Sequence, residues 1–172
     1  MYPKIGTLVP KNLYIIGTFL PITRINTQHM TSIQTHKEHI KEHLQEIQDA
    51  IVIGIEKRPS TIGLHVSACS ISLIELYLHA LGKITVGTIL KHEWFKAPKP
   101  EQKVLPLAER KLRVDFPDKD KILSLMYIIE EKRNTLIYGK PSSIALTEVY
   151  NTFEKLHIII KEKLDELGEE IE

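Results

Sequence analysis

From Ile62 to Leu81 the chain carries one acid, Glu75, and no lysine or arginine. Val66, Cys69, Leu73, Leu76, Tyr77 and Ala80 can all be buried. A run of this length reads as a helix, because buried strands are usually much shorter. A helix that is apolar on every side must be enclosed by other helices. Ser60 or Thr61 is placed to cap its start, and Gly82 to close its end.

Three further stretches have the period needed to enclose it. In the first, Thr35 followed by Glu38 forms a capping box. Ile40, Leu44, Ile47, Ile51 and Ile55 then repeat at three and four residues, with Lys37, Lys41, Glu42, Glu46 and Asp49 on the polar face. Pro59 is expected to stop this helix. In the next, Ile122, Leu125, Met126, Ile129 and Leu136 form one stripe, with Asp118 and Asp120 at its start and Gly139 and Pro141 after it. In the last, Ser142 or Ser143 caps a stripe of Leu146, Val149, Phe153, Leu156, Ile160, Leu164 and Leu167. The acid-rich end from Glu162 to Glu172 is expected to be a solvated, frayed tail.

The fold expected is all-α, an antiparallel four- to five-helix bundle built from two short-looped hairpins. The link between the hairpins, 84–116, is the least regular part. Short helices are expected at Thr85 to His92 and at Leu105 to Lys111. This link carries more bases than acids, and Trp94 and Phe95 stand in it. It reads as a solvated crossover, or as a basic flap with aromatic rings free to stack.

The first 30 residues hold Lys4, Lys11 and Arg24 but no acid. Leu13 to Leu20 is an apolar run between Pro10 and Pro21, too short and without the cleavage site of a signal peptide. The division expected is an irregular or strand-like arm over 1–30, or a leader ahead of a start at Met30, and a bundle domain over 31–172. One cysteine rules out an internal disulfide. A formal net charge of +1 provides no global field for nucleic acid. No run of 18 uninterrupted apolar residues exists, so no membrane span is expected, and the location expected is cytoplasmic.

Arg133 lies on the apolar stripe of the third long helix, between Ile129 and Leu136. A guanidinium keeps its charge and is costly to bury unpaired. Arg133 therefore snorkels, pairs with a carboxylate, or lines a cleft that takes a polyanion or another subunit. Glu75, the lone acid of the apolar helix, is the expected partner, orienting Arg133 or Lys132. Asn134 and Tyr138 follow, and a tightened last turn would bring the Tyr138 ring toward the same cleft, with Lys140 and Tyr150 nearby. His36, His39 and His43 fall within two turns of the first helix, and with His65, His79 or Glu75 from the next they could hold zinc or nickel. No H-E-x-x-H pair, phosphate-binding glycine loop, serine elbow or zinc-finger spacing is present.

The run Arg133-Asn134-Thr135-Leu136-Ile137-Tyr138 resembles the end-of-helix motif of the HEPN superfamily, Arg and often Asn, then a few residues and His. The helix order over Thr31 to Leu167 is similar as well. The resemblance implies a homodimer that binds RNA, with a metal-independent ribonuclease site and no cofactor, or a scaffold for a nucleotidyltransferase-like partner. It assigns the scissile phosphate to Arg133 and the shaping of the site to Asn134. Lys132 and Lys140 are the candidate substrate-binding bases. Tyr138 stands where the family has His, and phenols, titrating near about 10, are poor bases at neutral pH. Cleavage is therefore expected to be weak or absent. Two other classes stand beside this one: a metal-dependent bundle hydrolase using His36, His39 and His43, and a purely structural homodimerisation domain.

Overall fold

A computed structural model of the chain describes residues 27–98, 101 and 104–171. Among these residues all regular structure is helical. The arm expected over 1–30 lies almost wholly outside them. Five α-helices follow in order: α1 (Thr27–Ile53), α2 (Pro59–Ala80), α3 (Leu107–Lys111), α4 (Lys119–Tyr138) and α5 (Ser143–Glu166). Short 3-10 turns occur at Ile55–Lys57 and His92–Phe95.

The apolar helix, α2, is the centre of the bundle. It packs against α1, α4 and α5, and α4 packs against α5. Ile62, Val66, Cys69, Leu73, Ile74, Leu76 and Leu78 are fully enclosed. α2 is long and apolar enough to cross a membrane, but 72% of its most apolar window is buried among its neighbours. The protein itself supplies the apolar surroundings that this helix needs.

The ends of α1 and α2 differ from expectation. α1 runs upstream of the Thr35 capping box, across position 30, and stops at Ile53 rather than at Pro59. Gly54 follows with φ +112°, a conformation L side chains rarely adopt, and it turns the chain out of the helix. Pro59 begins α2 instead, at a first-turn position where no N–H is required. Neither Ser60 nor Thr61 caps α2; Arg58 precedes it without a side-chain cap. The Ser60 hydroxyl instead donates to the Ile137 carbonyl at the end of α4, 3.0 Å away.

The second hairpin follows the sequence closely. Ser142 caps α5, its Oγ accepting from the Ala145 N–H at 3.2 Å. Beyond α5 the chain is not a frayed tail. Gly168 adopts φ +78°, and the Glu169 N–H returns to the Leu164 carbonyl at 2.9 Å. This αL turn folds the chain back. Ile171 is buried, and Glu169 pairs with Lys37 of α1 at 3.0 Å.

The crossover is part of the core. No helix forms over 85–91, and α3 begins at Leu107. Leu90, Phe95, Ala108, Leu112 and Phe116 are all buried, and Trp94 packs beside them. Phe95 has no exposed surface, so its ring is an anchor and not a stacking platform.

Candidate functional site

Arg133 is half-buried near the end of α4. Its Nη1 donates to Asn134 Oδ1 at 3.3 Å, while Nε is buried without a hydrogen-bond partner. Lys132 pairs with Glu148 at 3.3 Å, and Lys140 is exposed. Tyr138 is 80% exposed. The Gly139 N–H bonds the Thr135 carbonyl at 3.0 Å, so α-helical geometry continues to the end of the helix. Five residues of regular helix separate Arg133 and Tyr138 by about 140° around the axis. The tightened turn that would swing the ring toward Arg133 does not occur. The Tyr150 ring lies elsewhere, in a groove of about 400 Å³ between α1 and α5 with Leu44, Ile47 and Phe153.

The acid beside Arg133 is Glu130, not Glu75. Glu130 stands one turn earlier on α4, three residues away, and its carboxylate is enclosed. Ser67 of α2 donates to its Oε1. His92, from the crossover turn, places Nδ1 3.4 Å from its Oε2. Burial pushes the Glu130 carboxyl up, while the Ser67 hydroxyl and the charges of His92 and Arg133 pull the other way. His92 is itself partly exposed, and its Nε2 lies 3.4 Å from Glu93. The contact is electrostatic, since neither His92 Nδ1 nor Glu130 Oε2 has a hydrogen-bond partner. The spacing of Glu130 and Arg133 was a sequence signal for this pair. Nothing in the sequence pointed to His92 or Ser67.

Glu75 has different work. Its Oε1 accepts from the Leu90 N–H at 2.6 Å and ties the crossover to α2. Its Oε2 lies 3.4 Å from His36 Nδ1. Burial pushes the Glu75 carboxyl up to about 7, against the pull of the Leu90 N–H. Burial, then the neighbouring His79 and His39, push His36 down to about 4. The proton between the two groups therefore rests on the carboxyl below neutral pH.

The three histidines of α1 do not converge. His36 stacks on His79, ring centroids 5.1 Å apart. His39 is exposed. His43 meets His65, their Nδ1 atoms 3.1 Å apart. His36 and His43 are separated by roughly 10 Å along the axis, and each faces a different level of the antiparallel α2. A single ion about 2 Å from each nitrogen cannot span that distance. Among the described residues, no group of three or more His, Cys, Asp or Glu side chains is arranged to hold a metal. Cys69 is no nucleophile either: it is buried, and burial pushes its thiol up to about 12.

No family model matches the chain, and neither does any curated protein or solved structure.

Proposed function

We propose that this chain is a HEPN-like RNA-binding module, working as a homodimer, in which metal-independent cleavage is weak or absent. The observation that carries this reading is Arg133. Its guanidinium is held by Asn134 and by the charge of Glu130, yet its Nε has no hydrogen-bond partner. Nε itself is enclosed, so it is the accessible end of this half-buried guanidinium that can offer N–H groups to a phosphate. Lys132 and Lys140 add positive charge near the same helix end, and the exposed Tyr138 ring can stack on a base.

Weak cleavage follows from the same geometry. Tyr138 diverges from Arg133 within one chain, and a phenol is a poor general base at neutral pH. A second copy, or a nucleotidyltransferase-like protein, is the partner this reading requires at the end of α4. It places the protein in the cytoplasm, where RNA is at hand.

A purely structural reading has one observation in its favour: Arg133 and His92 offset the buried charge of Glu130. The two readings separate in one experiment. Binding of single-stranded RNA is measured by fluorescence anisotropy over a salt series, with cleavage followed in EDTA. Arg133→Ala is expected to weaken binding about tenfold and to reduce the salt slope by about one. Unchanged RNA affinity in a folded Arg133→Ala protein, with lowered stability alone, would establish the structural reading instead.

A further inference from the structure

His43 and His65 belong to different helices, 22 residues apart in sequence, yet each directs Nδ1 toward the other at 3.1 Å. The rings are steeply inclined, 70° between planes, with centroids 5.2 Å apart. Stacking does not account for the contact, which is made nitrogen to nitrogen as a hydrogen bond that one ring donates and the other accepts, and which an ion would replace. Two imidazole nitrogens bound about 2.0–2.1 Å from one ion stand roughly 2.8–3.4 Å apart, for angles from square-planar to tetrahedral. The observed separation falls inside that range.

We propose that His43 and His65 chelate one divalent transition-metal ion of borderline softness (Zn²⁺, Ni²⁺ or Cu²⁺) through their Nδ1 atoms. The antiparallel packing of α1 on α2 builds the bite, so it needs no rearrangement of the backbone. Both side chains are half-buried, close enough to water for an ion to enter. Glu42 and Glu46 beside His43 lower the cost of placing a cation there. His39 lies one helical turn before His43 and is exposed. Water fills the remaining positions. This inference is independent of the RNA reading, because none of its residues belongs to the Arg133 cluster.

The test uses the full chain without an affinity tag. Zn²⁺ is titrated against a chromophoric chelator, and Cu²⁺ is added for electron paramagnetic resonance. One saturable site per chain is expected, with nitrogen hyperfine structure from at least two imidazoles. His43→Gln and His65→Gln are each expected to lower Zn²⁺ affinity by about tenfold or more, and His39→Gln by less. Circular dichroism confirms that each variant folds. Saturable binding that is unchanged in His65→Gln, absence of a stoichiometric site, or a Cu²⁺ spectrum with fewer than two nitrogens would each overturn the proposal. The resonance measurement is made on the native chain, so it holds even where a substitution perturbs folding.

Discussion

Gly63 and Leu136 touch across α2 and α4 in the space a side chain would fill. A Cβ on Gly63 would stand 2.7 Å from the Leu136 Cβ and 3.0 Å from the Ile137 Cγ1. Alanine is intrinsically the better helix residue, by about 1 kcal/mol. Here the close approach outweighs that preference, because Leu136 is fully buried and cannot move aside. Gly63→Ala is expected to destabilise the protein by roughly 1–3 kcal/mol. Denaturant midpoints decide it: an unchanged or raised midpoint would mean that the two helices part without cost.

Glu75 and His36 impose opposite pH slopes on stability. The folded Glu75 holds its proton up to about 7 against an ordinary 4.5, so its contribution falls as pH rises from 4.5 to about 7. The folded His36 gives up its proton down to about 4 against an ordinary 6.5, so its contribution falls as pH drops from 6.5 to about 4. Between 4.5 and 6.5 the two slopes cancel. Relative to the native chain, Glu75→Gln is expected to gain stability as pH rises through that window. His36→Asn is expected to gain as pH falls through it. Urea midpoints at several pH values give both differences, and two profiles parallel to the native one would refute the account.

Ser67→Ala removes the hydroxyl that donates to the buried Glu130 carboxylate. Loss of a hydrogen bond to an enclosed charged group costs on the order of 1–3 kcal/mol. The loss is expected to be larger at pH 8 than at pH 5, because only the ionised carboxylate depends strongly on that donor. Equal losses at the two pH values would indicate that Glu130 does not change its charge between them.

Phe95→Ala empties a site with no exposed surface and is expected to cost about 3–5 kcal/mol. A crossover that merely floated over the bundle would show almost no change. Thermal unfolding of the variant separates the two, and a midpoint near the native one would return the crossover to the status of a flap.

The parts of the fold that were legible in the sequence are those fixed by local chemistry. The Ser142 cap acts within one turn, and the stripe of α5 declares its buried face by period alone. The apolar α2 announced that it would be enclosed. What was not legible depends on special backbone turns and on contacts between distant residues. Pro59 looked like a stop, but Gly54 had already ended α1 by its backbone conformation. The acid-rich end looked solvated, yet Gly168 turns Ile171 back into the core. Around Arg133 the sequence located Asn134 but not His92, because the crossover's path decides which imidazole meets Glu130. The periodic face of α1 grouped three histidines; antiparallel packing then paired His36 and His43 with different rings of α2.

The enclosure of α2 has a consequence for what a cut chain would do. α2 buries its surface against α1, which precedes it, and against α4 and α5, which follow the crossover. Residues 85–87 and 89 of that crossover are exposed, and Ile89 is 70% accessible. A single nick there would leave two helical hairpins, each presenting the apolar surface that only the other covers. They would stay together as an obligate heterodimer, whose melting depends on the concentration of both halves. Each half made alone would expose that surface, and mixing the two would restore the bundle.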